Sequence, residues 1–209
     1  MGNKFSETMF TESVKAVQEH YGSRKHYAKF EGIAPEPASL SDAEIDFIES
    51  RDGFYIATVN EDLQPYIQFR GGPAGFLKVL DERTLAYADF RGNLQYISVG
   101  NLRKNDKAAL FLMDYATRRR LKILARVEVK DADEVPELIR ALETPGYKAK
   151  IERAVTLHVE AFDWNCPQHI TPRFTIDEVK RMAQPLYEHI EKLKAEIQRL
   201  TEDLTMQKN

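Results

Sequence analysis

Arginine beside glycine at the end of a β-strand sets a planar guanidinium fork next to backbone that a ligand can approach closely. The sequence does this twice, at Arg70-Gly71-Gly72-Pro73 after the run Tyr66–Phe69, and at Arg91-Gly92-Asn93 after Leu85–Phe90. A third basic cluster, Arg118-Arg119-Arg120 with Lys122, follows. Guanidinium groups pair bidentately with phosphate or carboxylate. The clusters therefore point to an anionic ligand on a β framework, against the alternative of two glycine turns whose arginines sit in solvent. Asn93, Gln95, Ser98 and Asn101 add donors for a phosphate or a heterocycle edge. If this stretch is helical, Leu94, Ile97 and Leu102 are expected to face the core and the polar set to face outward. Phe69, Tyr87, Tyr115 and Trp164 are available to stack on a ring.

Other groups carry less chemistry. Cys166-Pro167-Gln168-His169 offers two metal ligands where zinc takes three or four. It also places a base three residues from a thiol, an unspecific arrangement for a nucleophile. A structural turn or a contact with a cofactor edge is the reading preferred there. No P-loop, dinucleotide fingerprint or Ser-His-Asp pattern is present.

These residues need a scaffold. The chain has 209 residues, a net charge of −3 and one cysteine. That charge gives no reason to expect a nucleic-acid or membrane surface, and no intramolecular disulfide can form. The N-terminus lacks the apolar run of a signal peptide, and no apolar run approaches a membrane span, so a cytoplasmic protein is expected. A helix over 11–21 is predicted, with Thr11 as N-cap, Val14, Val17 and Tyr21 on one face and Gly22 ending it. Residues 31–39 read as a crossing loop. Ser41-Asp42-Ala43-Glu44 is a capping box with Leu40 and Ile45 as its staple.

Strands are predicted over 54–59, 64–69, 76–80, 84–88, 109–113, 120–129 and 155–162, with helices near 94–104 and 133–142. In the 60–63 turn, Asn60 or Asp62 is expected to supply the left-handed conformation. Hairpins with few intervening helices argue for a closed or nearly closed antiparallel barrel. Thr175-Ile176-Asp177-Glu178 opens a last helix that Pro185 should interrupt or kink. Beyond it Leu186, Ile190, Leu193, Ile197, Leu200 and Leu204 form a heptad seam, read as a coiled coil or as an amphipathic helix on its own barrel. The expected organisation is N-terminal helices and loop over 1–50, a barrel over 51–174 and a helical extension over 175–209.

The segments GSRKHYA (22–28), DGFYIATV (52–59), QPYIQFRGGPAGFLKVLDERTLAYADFRGN (64–93), QYISVGNL (95–102), LFLMDYATRRRLKI (110–123) and WNCPQHITPRF (164–174) carry a resemblance. In this order the chain resembles the pyridoxamine 5′-phosphate oxidase-related, FMN-binding split-barrel proteins. The resemblance implies a mainly β fold with flanking helices, a six-stranded antiparallel split barrel, binding FMN at a homodimer interface. Gln68, Phe69, Arg70, Gly71 and Gly72 correspond to the strand along the flavin, and Tyr87 and Ala88 to the strand beneath it. Arg91, Gly92 and Asn93 fall at the phosphate-binding turn, and Asn101 matches an amide used on the flavin. Arg119, Arg120 and Lys122 lie on the strand reaching the second subunit's site. Trp164, Gln168, His169 and Arg173 fall in the region that closes the pocket. Asn93-Leu94 stands where the oxidases place a basic pair, Ala125 replaces a glycine, and the Arg-x-His pattern that holds pyridoxal phosphate is absent. The implied function is that of an FMN flavoprotein, an oxidoreductase on an unknown small molecule. The alternative is a non-catalytic flavin, haem or deazaflavin module with a partner-binding helix.

Overall fold

The computed structural model describes residues 4–32, 38–164 and 168–206. Cys166 and most of the 31–39 loop lie outside them. Two compact units are distinguished, one formed by residues 1–114 and 118–169, the other by 115–117 and 170–209.

The first unit is built on a seven-stranded antiparallel sheet. Its strands are β1 (Gly53–Val59), β2 (Pro65–Gly71), β3 (Lys78–Asp81), β4 (Thr84–Phe90), β5 (Lys107–Asp114), β6 (Arg119–Asp131) and β7 (Ile151–Trp164). Their spatial order is β2-β1-β5-β6-β7-β4-β3. The resemblance implies six strands and the structure has seven, as the strand pattern of the sequence itself predicts. Alternate residues point inward, as the two-residue period of a strand requires. Phe54 and Ile56, Leu110 and Leu112, Leu121 and Ile123, and Leu157 and Val159 are all buried in one core. The Phe54 ring on β1 lies 5.4 Å from that of Tyr87 on β4. Those strands are far apart in the sheet order, so the sheet curls on itself. Among the described residues β2 and β3 are the edges of this sheet, and the barrel is split.

Helices α1 (Lys4–Met9), α2 (Glu12–His20), α3 (Arg24–Tyr27) and α4 (Asp42–Glu49) precede the sheet. Thr11 caps α2, its hydroxyl accepting from the Val14 amide at 3.4 Å. The expected apolar face of α2 is not buried: Val14, Val17 and Tyr21 are exposed, and Gln18 is the buried residue. The capping box of α4 forms, with the Ser41 amide donating to Glu44 Oε2 at 3.0 Å. Leu40 is buried and Ile45 packs against the core.

The first hairpin turn is held by Asn60 Oδ1, which accepts from the amides of Asp62 and Gln64. The left-handed residue there is Leu63, not Asn60 or Asp62. The asparagine side chain serves as acceptor, and the left-handed position falls to the exposed Leu63, three residues on. Helix α5 (Ile97–Leu102) meets its expectation only in part: Leu102 is in the core and Asn93 and Gln95 are exposed, but Ser98 and Asn101 are buried, while Leu94 and Ile97 are exposed. The buried polar pair is satisfied by Gln68 and Thr58, which is what allows it inside. Helix α6 (Pro136–Leu142) has its proline in the first turn and covers the outer face of β4 and β7, packing Leu142 on Ala86, Ala88 and Ala154.

The second unit contains α7 (Ile176–Met206), opened by Thr175, whose hydroxyl accepts from the Glu178 amide. Pro185 lies inside this 31-residue helix without ending it. A missing N–H removes one hydrogen bond, and a helix this long retains the rest. No residue of α7 is buried. Among the described residues no helix is long and apolar enough to cross a membrane. Nor does any cluster of three or more His, Cys, Asp or Glu among them suit a metal ion.

Candidate functional site

The split in the barrel leaves a cleft of about 400 Å³ between edge strand β2 and the end of β4. On β2, Tyr66, Gln68 and Arg70 share one face, two residues apart, and line it together with Phe69 and Gly71. Asp89 and Phe90 end β4, and Arg91, Gly92 and Asn93 turn across the floor. Tyr96 and Ile97 of the α5 turn and Arg153 of β7 complete the wall. The two Arg-Gly clusters, 21 positions apart in the sequence, thus meet in one cleft.

A network of charges underlies it. Asp89 is 2% exposed, and a buried carboxylate must be paired. Arg153 donates to its Oδ2 from Nε at 2.8 Å, and Arg70 Nη1 lies 3.2 Å from Oδ1. Arg153 also donates to Glu152 at 3.0 Å, and its guanidinium lies 4.8 Å from the centre of the Tyr96 ring. The Tyr96 hydroxyl donates to Glu152 at 3.2 Å, and Arg91 Nε approaches the same carboxylate at 3.5 Å. Three arginines against two carboxylates leave one positive charge. Arg70 is therefore not a free fork. One arm faces Asp89, while its Nε is buried with no hydrogen-bond partner. Beneath it, burial pushes the Tyr87 phenol up to about 12, against the pull of the Arg70 guanidinium, so the phenol is neutral at ordinary pH.

Other residues expected at the site lie elsewhere. Gly72 adjoins β2, where an added Cβ would come within 2.7 Å of the buried Phe76 ring. Tyr87 points into the main core and Ala88 packs under α6. Asn101 is occupied with Thr58, Nδ2 donating to Oγ1 at 3.0 Å. The Arg119 guanidinium stacks 4.4 Å from the Trp164 ring. Arg120, Lys122 and Trp164 line a different cleft. Gln168 and His169 are exposed. Arg173, in the second unit, lies over Tyr115 at 5.0 Å. Asp89, Arg153, Glu152 and Tyr96 escaped the sequence reading. A lone carboxylate in the apolar run Leu85–Phe90 was the available signal for Asp89.

A sequence profile described as pyridoxamine 5′-phosphate oxidase matches residues 40–160, more than half of the chain. The chain belongs to the pyridoxamine 5′-phosphate oxidase family. The matched residues contain β1–β6, α4–α6 and most of β7, so the family region includes the cleft and excludes α1–α3 and α7. The structure is also similar to solved proteins. HupZ of Group A Streptococcus is 15% identical, over 65% of this chain and 99% of its own, with a TM-score of 0.46. An FMN-binding protein of Syntrophomonas wolfei is 13% identical, over 71% and 97%, with a TM-score of 0.41. A Clostridium acetobutylicum protein related to general stress protein 26 is 18% identical, over 64% and 92%, with a TM-score of 0.41. No curated protein matches the sequence.

The cleft suits a phosphate-bearing planar ligand on its own chemistry. It offers an excess positive charge, the unpartnered Arg70 Nε, and aromatic side chains at Tyr66 and Tyr96. At Gly92 even an added Cβ would meet nothing within 4 Å, so the backbone there is open to close approach. Arg70, Arg91, Gly92 and Asn93 would hold the anionic group and Gln68 the ring, while the Phe69 ring turns to the outer face beside Tyr55.

Proposed function

We propose that this protein is an FMN-binding flavoprotein, an oxidoreductase that acts on a small molecule as a cytoplasmic homodimer. The observation that carries the reading is the cleft in which Gln68–Gly71 and Arg91–Asn93 converge around the unpartnered Arg70 Nε. Family membership supports a flavin rather than another phosphate ligand. FMN supplies hydride or electron transfer once bound. The chain's part is to bind and orient it: Arg70 and Arg91 neutralise the phosphate, Asp89 and Arg153 hold Arg70 in place, and Gln68 is fixed by the hydrogen bond from Ser98 at 2.8 Å. A second subunit has a surface to cover on the outer face of the first hairpin, where Tyr55, Ile67 and Phe69 are exposed. The Tyr55 and Phe69 rings there lie 5.4 Å apart.

The absorption spectrum of the purified protein and a titration with FMN test this. A flavin spectrum, or saturable uptake of FMN, is expected; colourless protein that takes up none overturns it. Arg70→Ala should weaken FMN binding by about 1–3 kcal/mol, the range for a hydrogen bond to a charged group. Arg153 still pairs Asp89 in that variant, so the fold is retained. An unchanged dissociation constant places Arg70 off the ligand.

A second reading is supported by the uncovered apolar seam of α7: a flavin, haem or deazaflavin module without turnover, whose helix engages a partner. The same spectrum separates the cofactors. Steady oxidation of NAD(P)H by the FMN-loaded protein would exclude a module without turnover.

A further inference from the structure

A second cavity, of about 560 Å³, lies outside the cleft described above and shares no lining residue with it. Strands β6 and β7 contribute Arg120, Lys122 and Asp163, on the face opposite the buried Leu121 and Ile123, and Trp164 at the end of β7, which pairs with Leu121 and packs its indole against Phe47. The N-terminal helices, which lie outside the family match, contribute the opposite wall: Phe5, Phe10, Tyr27 and Phe30, with Ser6, Gln18 and His26. The aromatic wall is braced by edge-to-face contacts, with Phe10 and Tyr27 centred 5.5 Å apart and His26 and Phe30 5.8 Å apart. The volume is that of a small-ligand pocket (roughly 300–1,000 Å³).

The charges choose the ligand. Lys122 is already paired with Asp163 at 2.9 Å, and its ammonium lies 4.4 Å from the Phe5 ring centre. Arg120 differs: its Nε is buried and has no hydrogen-bond partner. Two cations against one carboxylate disfavour a cationic guest despite the aromatic walls. A buried unsatisfied guanidinium donor is costly by itself and is relieved by a carboxylate, which accepts two parallel hydrogen bonds. Flat aromatic walls select a planar ring.

We propose that this cavity binds a small aromatic carboxylate, with Arg120 pairing its carboxylate, the N-terminal aromatic residues enclosing its ring and Trp164 at the cavity's edge. Within one subunit the cavity is separate from the cleft proposed for FMN. It assigns to α1–α3 a task that the family barrel does not require.

Trp164 is the only tryptophan of the chain, so its fluorescence reports on this cavity directly. Benzoate titrated into the full-length protein should change that fluorescence saturably. Cyclohexanecarboxylate and benzamide should bind at least tenfold more weakly, and benzyltrimethylammonium should give no saturable change. Arg120→Gln should weaken benzoate at least tenfold, while Arg70→Ala should leave it unchanged. Absence of a saturable benzoate signal, or equal affinity of the Arg120→Gln variant, overturns the proposal. Should that variant fail to fold, the wild-type contrast decides, and equal affinity for benzoate and cyclohexanecarboxylate overturns it. Displacement of benzoate by FMN also overturns it, since the cavity would then be part of the cofactor site. FMN uptake is followed separately by flavin absorbance, so either proposal can fail while the other stands.

Discussion

Asp89 sets the terms for the charged side chains of the cleft. It is buried between Arg70 and Arg153, and removing one partner of a buried ion pair leaves the others uncompensated. Asp89→Ala should therefore cost about 3–5 kcal/mol, measured by urea unfolding, although Asp89 itself need not touch a ligand. An unfolding midpoint like that of the wild type would mean that solvent reaches the two arginines. Glu44 makes a second residue-scale case. Burial pushes its carboxyl up, but hydrogen bonds from Ser41, the Trp164 indole and the backbone outweigh burial and hold it below its ordinary value of 4.5. A depressed carboxyl contributes stability that is complete above its unfolded value and is lost as the pH falls through the folded one. The wild-type protein should thus lose stability below about pH 4.5, and the gap between it and Glu44→Gln should narrow there. A gap that stays constant down to strongly acidic pH would show that Glu44 stays protonated or unpaired.

At the scale of elements, the strands were legible because each alternates apolar and polar residues or, like β4, is apolar almost throughout. Buried on both faces, β4 sends Tyr87 into the core and Ala88 under α6. Glycine at position 72 is required by packing: Gly72→Ala would drive a Cβ into Phe76, which is 2% exposed and has nowhere to move. The expected cost is about 1–3 kcal/mol of stability, typical of overpacking, read from the thermal midpoint, with FMN affinity preserved. A large loss of FMN affinity at unchanged stability would instead place Gly72 at the ligand. Helix α5 was legible as a helix but not in its orientation. Its inward face is chosen by two acceptors on other strands, Gln68 and Thr58, and a helical period cannot announce partners that distant.

For the whole molecule, α7 carries the clearest expectation about assembly. Ile190 and Ile197 alternate with Leu186, Leu193 and Leu200 along one exposed seam. Isoleucine and leucine in these alternating heptad positions favour two parallel strands. Deleting residues 186–209 should lower the particle mass measured by light scattering, as a two-chain contact is lost. An unchanged mass would assign the seam to an intramolecular role.

The sequence by itself determined the antiparallel β scaffold, the caps of α2, α4 and α7, and the two Arg-Gly clusters. Each of these depends on residues within a few positions of one another, where periodicity and capping chemistry act directly. Only the tertiary structure decided which arginine is free to act and in which cleft. Arg153 reaches Asp89 across 64 positions of sequence, and Arg120 lines one cavity with N-terminal aromatic residues ninety or more positions away. Such pairs arise from the curl of the sheet and the path of the N-terminal helices, which no local pattern encodes. The Arg-Gly clusters were read as two open forks. Folding ties one arm of Arg70 to a buried carboxylate and leaves its buried Nε without a hydrogen-bond partner.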